Sequence, residues 1–197
     1  MSSWTNVVAD VLAILLRMFA DHVLQMLFCC KTGFAGASAG LIPALFLALG
    51  LDSAQVNEET EKIDMNEFFD GSIMKYYNLV SKSGLHPAKK CTEFVEYLLQ
   101  KYTGDKDLTF LGLYQRYGTE LCISVSNVSR SQNEYFHVNT TPDLPIKAAI
   151  RTTMSVPLLW TPVDIGGDKY VDGGLFNNYP LKVSGFVALV PSVACSV

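Results

Sequence analysis

Apolar residues fall in long blocks along this chain, and the polar residues between the blocks set the predicted elements. Val7–Phe28 is apolar except for a few polar residues whose spacing places them on one side of a helix, so we predict an amphipathic helix there. Those polar residues are Asp10, Arg17, Asp21 and Gln25. Thr32–Leu51 has no charge and, at 20 residues, has the length of a membrane span. Because its first half holds three glycines, a buried strand, a tight turn and a helix from near Ala39 explain it better.

Helical spacing of apolar residues recurs further along the chain. It predicts helices at Phe68–Tyr77 and Thr92–Tyr102, with Gly104 as the stop signal of the second. The segment Asp52–Glu67 is polar and acidic, so it predicts an exposed loop or the start of a helix. Its glutamate cluster, which includes Glu59, lacks the ligand spacing of a calcium loop and is interpreted as a solvated face.

Alternating patterns in the second half predict strands. Leu121–Ser126 and Tyr135–Val138 alternate on either side of a polar segment, which indicates a two-stranded hairpin. A helix is predicted to begin at Pro145 and continue through Met154. The sequence Gly166-Gly167-Asp168 then predicts a turn between two short strands. Helices and strands therefore alternate along most of the chain, which favours a layered α/β fold.

Composition and charge narrow the classes of protein that fit. The chain has 197 residues, of which 49% are apolar and 17% charged, so one folded domain is expected and a fibrous or disordered chain fits poorly. The formal net charge is −4, and this balance provides no electrostatic surface for the phosphate backbone of nucleic acid. We therefore expect no nucleic-acid partner.

The cysteines and the first residues of the chain bear on its compartment. Five cysteines have no metal-ligand spacing and leave one without a partner, so we predict buried reduced thiols and no metal site. The sequence begins Met-Ser-Ser-Trp and reaches Asp10 before any positive charge, unlike a secretory signal. These features favour the cytoplasm or a peripheral position on a membrane, with no transmembrane helix.

The sharpest chemical motif lies at the end of the first predicted strand. Gly36-Ala37-Ser38-Ala39-Gly40 has the form G-x-S-x-G between an apolar strand and a helix. In that setting a sharp turn exposes the serine hydroxyl, and the start of the following helix favours developing negative charge. Ser38 is thus a candidate nucleophile, and the alternative interpretation is a purely structural turn.

A serine nucleophile needs a base, and the histidines are poorly placed for that task. His22 falls on the first helix, His86 precedes a proline, and His137 lies within a predicted strand. Asp172 is the better candidate because it ends a predicted strand and is followed by Gly173 and Gly174, which allow a tight turn. A carboxylate can act as a base when it is desolvated and in contact with the hydroxyl. A histidine-dependent hydrolase stays open as a weaker alternative.

Taken together, three segments resemble a known family. Gly36–Gly40, Thr141–Pro157 and Tyr170–Pro180 look like the patatin-like phospholipase domain, and the resemblance extends over about Gly33–Lys182. It implies a three-layer α/β/α sandwich that hydrolyses acyl esters of lipids in lipid breakdown, with a serine–aspartate dyad and no cofactor. The organisation that it suggests is an atypical helix at 1–32, the family domain at 33–182 and an apolar tail at 183–197.

The resemblance also assigns roles to individual residues. Ser38 would form the acyl-enzyme, and Asp172 would activate first the serine and then the deacylating water. The glycines of the two motifs would shape the turns that carry these side chains. They are Gly36, Gly40, Gly173 and Gly174.

One family feature has no counterpart in this sequence. The family places a glycine-rich loop, which supplies the oxyanion hole, before the serine motif, but no glycine precedes Gly33. The residues that would donate hydrogen bonds to the oxyanion are therefore unassigned, and a truncated or altered first strand is expected. Loss of one such donor lowers the rate by about 10²–10³-fold. The alternative function is that of a catalytically impaired patatin-like fragment or isoform that binds lipid or a partner.

Overall fold

The computed structural model describes residues 33–63, 89–157, 160–176 and 186–189. Within these ranges the chain forms six strands and five α-helices. In chain order they are β1 (Gly33–Gly36), α1 (Leu41–Ala48), α2 (Ser53–Glu61), α3 (Lys89–Thr103), α4 (Phe110–Tyr117), β2 (Leu121–Asn127), β3 (Gln132–Phe136), α5 (Ile146–Thr153), β4 (Val163–Ile165), β5 (Asp168–Asp172) and β6 (Phe186–Leu189). The helices predicted within the first 32 residues and at Phe68–Tyr77 lie outside the described residues.

All six strands belong to one open, mixed sheet. Strand β1 is parallel to β2 on one side and to β6 on the other. Strand β2 is antiparallel to both β3 and β5, and β4 extends the sheet beyond β5. The predicted α/β class is therefore confirmed, and the arrangement is consistent with an α/β/α sandwich.

The registers show that β1 and β5 share one edge of β2. Strand β3 pairs with β2 over Ile123–Asn127 and so occupies the opposite edge along these residues. On the shared edge, β1 ends with Gly36 opposite Ile123, and β5, which runs the other way, ends with Asp172 opposite Val125. The carboxyl ends of the two strands consequently meet head to head, with a single β2 residue, Ser124, between their registers.

Strand β2 forms the centre of the core. Every residue of β2 is buried, so both of its faces are covered by other elements. Helix α1 packs on β1 and β2, α5 packs on β2 and β5, and α3 packs against α5. Cys122 of β2 is buried among them, and desolvation, followed by the nearby charge of Glu120, raises the pKa of its thiol to about 12. This thiol and Cys91 are buried as predicted, whereas the other three cysteines lie outside the described residues.

Several helices differ in extent from the sequence-based expectation. Helix α1 begins at Leu41, after a short 3-10 turn over Ser38–Gly40. The acidic segment does form a helix, α2, because Asp52 and Gln55 make a reciprocal capping box at its start. Burial of Glu59 at 0% exposure shows that the interpretation of the glutamate cluster as a solvated face was wrong for that residue.

Helix α4 and strand β6 were not predicted. The start of α4 is capped by the Thr109 hydroxyl, which accepts a hydrogen bond from the Gly112 N–H, and its end by Gly118 in the left-handed conformation. Strand β6 falls within the segment that was described as an apolar tail, where no periodicity indicated an element. The hairpin is confirmed, but β3 begins at Gln132, earlier than predicted, because polar residues there pair with β2.

Candidate active site

The turn after β1 holds Ser38 in an unusual backbone conformation. Its φ of 51° lies in the left-handed region, which residues other than glycine rarely adopt. The chain passes from β1 through this residue directly into the 3-10 turn and α1. This is the strand–turn–helix geometry of a nucleophile elbow, which orients the serine side chain away from the sheet and helix. Ser38 is partly exposed.

The motif glycines of this turn allow the chain to fold back closely on itself. A Cβ atom on Gly36 would lie 3.0 Å from Leu41 Cα and 3.1 Å from the Gly40 carbonyl oxygen. The N–H of Gly40 donates a hydrogen bond of 3.1 Å to the Ala37 carbonyl and closes the turn. A side chain at Gly36 would therefore push the first turn of α1 away from β1.

The turn after β5 is even tighter. A Cβ atom on Gly173 would lie 2.2 Å from the carbonyl oxygen of Ser124, which no real side chain tolerates. Gly174 donates its N–H to Asp172 Oδ1 over 2.7 Å. On the far side of the turn, the Ser126 hydroxyl contacts the Gly173 carbonyl oxygen at 3.4 Å and accepts from the Phe176 N–H at 3.3 Å. The turn is thus fastened to β2 and fixes the Asp172 carboxyl group.

Asp172 is buried without a compensating cation among the described residues. Its exposure is 5%, and this burial raises the pKa of the carboxyl group above its usual value. Hydrogen bonding from the Ser38 side chain, and then from the Gly174 N–H, opposes the rise. The net direction is upward, so the carboxyl group binds a proton more readily than an ordinary aspartate.

The two candidate side chains are neighbours, but no hydrogen bond of ordinary geometry joins the Ser38 hydroxyl to Asp172 Oδ2. The Ser38 hydroxyl is close enough to favour the charged form of Asp172. Asp172 Oδ2, however, is buried and has no hydrogen-bond partner of ordinary geometry within the described part of the chain. Such contacts are often long before substrate binds and tighten in the complex. The head-to-head meeting of β1 and β5 is what brings these distant residues together.

His137 is not placed at this turn. It follows the last residue of β3, Phe136, which is in register with Ile123 on β2 and, beyond it, with Gly36 on β1. Two strand spacings, about 10 Å, therefore separate its backbone from that of the elbow strand. Burial, opposed by the charge of Glu120, lowers the pKa of its imidazole. His22 and His86 lie outside the described residues.

Sequence reasoning missed the polar groups that support the two turns, which are two side-chain hydroxyls and one main-chain carbonyl. Thr153, at the end of α5, accepts the Ser38 N–H with its hydroxyl at 3.0 Å. Ser155 accepts the Asp172 N–H with its carbonyl at 2.9 Å. Ser126 on β2 fastens the turn after β5, as described above. The available signal was small polar residues in a buried strand and at the end of a buried helix, where polar groups need partners.

No group of three or more side chains suited to metal binding occurs in the described ranges. Within the same residues, no helix combines the length and the apolar character that a membrane crossing requires.

Comparison with known proteins places both turns within one family. The family model described as patatin-like phospholipase matches residues 22–183, which include the serine turn and the aspartate turn. The chain belongs to the patatin-like phospholipase family. The match begins earlier than the resemblance noted from the motifs, which started at Gly33.

Relatives of this patatin-like chain come from viruses and a bacterium. An uncharacterised protein of Acanthamoeba polyphaga mimivirus is 31% identical over 149 residues, which are 76% of this chain and 49% of the relative. A protein of Invertebrate iridescent virus 6 named "Probable lipid hydrolase 463L" is 21% identical over 157 residues, 77% of this chain and 52% of the relative. The uncharacterised protein YqhO of Bacillus subtilis is 25% identical over 162 residues, 75% of this chain and 54% of the relative. The patatin-like chain thus spans about half the length of the curated relatives that it matches.

A solved structure shares the fold. VipD from Legionella pneumophila superposes on the patatin-like chain with a TM-score of 0.59 at 18% sequence identity, covering 91% of this chain and 47% of VipD. At that identity the likeness concerns the fold alone.

Proposed function

We propose that this chain is a lipid acyl hydrolase in which Ser38 is the nucleophile and Asp172 is the base. The observation that carries the proposal is the meeting of a strained serine turn with a buried carboxyl group whose pKa is raised by burial. Membership of the patatin-like phospholipase family supports the reaction class, and the name of the iridescent virus relative, a probable lipid hydrolase, agrees with it.

The reaction would proceed in two steps. Asp172 takes the proton of the Ser38 hydroxyl as Oγ bonds to the carbonyl carbon of the ester. The C–O bond to the alcohol then breaks, the alcohol oxygen receives that proton, and the acyl group stays on Oγ. In the second step Asp172 takes a proton from water, the hydroxide bonds to the acyl carbon, and the Oγ–C bond breaks with return of the proton to Ser38.

The surface beside the candidate base suits an apolar substrate. Leu175 and Phe176 follow the Asp172 turn and are 53% and 48% exposed. Large apolar side chains at a polar catalytic centre favour acyl chains over charged substrates. The proposed substrate is therefore a lipid ester. We also propose that the protein reaches this substrate by peripheral contact with a membrane or lipid surface.

The test is hydrolysis of p-nitrophenyl acyl esters and of phospholipid vesicles by the purified chain, together with labelling by a fluorophosphonate probe. Ser38→Ala and Asp172→Asn should each lower kcat/KM by more than about 10³-fold, and Ser38→Ala should abolish labelling. Ser53→Ala and Asp164→Asn are matched controls on exposed residues and should retain activity. Equal rates for the unaltered protein and Ser38→Ala would overturn the proposal.

A second candidate function is binding of lipid or a protein partner by a catalytically impaired protein of this family, and the exposed Leu175 and Phe176 beside the Asp172 turn favour it. The same experiment separates the two functions. Stoichiometric labelling of Ser38 supports the hydrolase, whereas binding to phospholipid vesicles without labelling or turnover supports the second candidate.

A further inference from the structure

We propose that Thr153 is a positioning residue, whose hydroxyl holds the Ser38 backbone in the conformation that the nucleophile needs. The inference rests on the proposed function and assigns a task to a residue outside both sequence motifs. Thr153 is the last residue of α5 and is separated from Ser38 by 115 positions in the chain.

The Thr153 hydroxyl lies where the two strand ends meet. Its Oγ1 donates a hydrogen bond of 2.7 Å to the carbonyl oxygen of Ser124 and accepts one of 3.0 Å from the Ser38 N–H. Ser124 is the β2 residue between the registers of β1 and β5. A hydroxyl has one proton to donate and lone pairs that accept, so it can serve both backbone groups at once. Valine, which has nearly the same shape, could serve neither.

The hydrogen bond to Thr153 Oγ1 is donated by Ser38, the residue whose backbone is strained. Ser38 has a φ of 51°, and such a conformation persists only when neighbouring contacts hold it. Thr153 is fully buried and Ser124 is fully buried, so water does not compete easily for this bond. The direction of the Ser38 side chain depends on its φ, and the position of Oγ relative to Asp172 therefore depends on Thr153.

The same segment also holds the candidate base. Two residues after Thr153, the carbonyl of Ser155 accepts the Asp172 N–H at 2.9 Å. The end of α5 thus contacts the backbone of both candidate catalytic residues, one through a side chain and one through the main chain. Only the first of these contacts depends on the residue type, which makes Thr153 the position that a substitution can test.

The experiment compares Thr153→Val, Thr153→Ala and Thr153→Ser in the full chain. We measure kcat and KM with a p-nitrophenyl ester, the rate of fluorophosphonate labelling, and the thermal unfolding midpoint, each per folded molecule. Thr153→Val should lower kcat and the labelling rate by about 10²-fold with KM nearly unchanged, because misplacing a reacting group by about 1 Å has an effect of that size. Thr153→Ser keeps the hydroxyl and should restore most of the rate.

Thr152 offers a matched control next to the tested position. It is also fully buried, but its hydroxyl donates to the Ala148 carbonyl within α5 at 2.8 Å, and its described hydrogen bond goes to neither turn. Thr152→Val should lower the unfolding midpoint without lowering kcat per folded molecule. If Thr153→Val does not fold, Thr153→Ala removes the same hydroxyl, leaves room for water, and should show the same loss of kcat.

The outcomes separate this inference from the proposed function. Unchanged kcat and labelling in folded Thr153→Val or Thr153→Ala would overturn the positioning role while leaving the hydrolase intact. If the unaltered protein neither hydrolyses esters nor reacts with the probe, the proposed function fails and the positioning role fails with it. The hydrogen bond itself is tested separately by amide hydrogen exchange at Ser38. Faster exchange in Thr153→Val than in Thr152→Val supports the bond, and equal exchange overturns it.

Discussion

Two buried carboxyl groups in this molecule have opposite surroundings. Glu59 on α2 is fully buried, and its Oε1 accepts hydrogen bonds from Lys101 Nζ at 2.6 Å, Tyr102 OH at 2.9 Å and Lys62 Nζ at 3.1 Å. Asp172 is almost as deeply buried, but within the described part of the chain its carboxyl group receives a hydrogen bond from the Gly174 N–H and has the Ser38 hydroxyl as a neighbour. Burial alone therefore does not distinguish a structural carboxylate from a candidate base.

The difference lies in which groups offset the burial. Burial favours the neutral form of Glu59, but the bonds from Lys101, Tyr102 and Lys62 together outweigh it, and the pKa falls below its usual value. For Asp172 burial dominates, and the pKa rises. A carboxylate held by cations keeps its charge and cannot readily accept a proton, whereas one without cations is suited to take a proton from a neighbouring hydroxyl.

The largest expected effect is on catalytic activity, when the charge of Asp172 or of Glu59 is removed by substitution. Asp172→Asn should lower kcat/KM for p-nitrophenyl esters by more than about 10³-fold, because the amide cannot take the Ser38 proton. Glu59→Gln should change kcat/KM by less than about twofold, since its described hydrogen-bond partners are Lys62, just after α2, and Lys101 and Tyr102 on α3, none of which belongs to either candidate turn. A comparable loss in both variants would contradict the distinction.

A second prediction concerns the turn that keeps Asp172 buried. Gly173→Ala should destabilise the protein by about 3 kcal/mol or more, because its Cβ would lie 2.2 Å from the Ser124 carbonyl oxygen. Gly166→Ala is the matched control, because that glycine has a φ of +63° but open space around it. It should cost only about 1 kcal/mol. Urea unfolding followed by circular dichroism measures both losses of stability. Equal losses in the two variants would contradict the close approach of Gly173 to the Ser124 carbonyl oxygen.

The third prediction compares stabilities at pH 7. Glu59→Gln should lower the free energy of unfolding by about 1–2 kcal/mol, because charge-assisted hydrogen bonds that join α2 to α3 are weakened. Asp172→Asn should leave the free energy of unfolding unchanged or raise it, since a neutral amide is buried more easily than a carboxylate. Urea unfolding of the two variants and the unaltered protein tests this, and destabilisation by both would show that Asp172 is also held as a structural charge.

The sequence predicted the local features of the candidate site but not its long-range contacts. The serine turn could be predicted because Gly36, Ser38 and Gly40 lie together between an apolar strand and an apolar helix. The contact of Thr153 with Ser38 could not, because it depends on how α5 packs across the sheet. Glu59 likewise looked exposed from its acidic neighbours, and its burial follows from Lys101 and Tyr102, which lie 42 and 43 positions away.

The same division holds for the fold. Strand β2 was predicted from its alternation, and the turn at Gly166 from its glycines. Strand β3 was placed too late because Asn133 and Glu134 are polar and show no apolar period, although they pair with β2. Strand β6 lies in a uniformly apolar segment, and only its pairing with β1 identifies it as a strand. The positions of β3 and β6 therefore follow from pairing between strands, which the spacing of apolar residues along the chain does not reveal.

The smallest predicted effect is the pH dependence of these stability differences, and its sign tests the comparison most directly. The folded-state pKa of Glu59 lies below the ordinary value of 4.5, so its stabilising contribution is complete above pH 4.5 and is lost as the pH falls through the folded pKa. The folded-state pKa of Asp172 lies above the ordinary value of 3.8, so its ionised form destabilises the fold at neutral pH, and this penalty disappears as the pH falls toward 3.8. As the pH falls from 7 toward 3.8, the unaltered protein should therefore lose stability relative to Glu59→Gln and gain stability relative to Asp172→Asn. Urea unfolding across this pH range measures both differences. If the two differences change with the same sign, the two carboxyl groups do not have opposite surroundings.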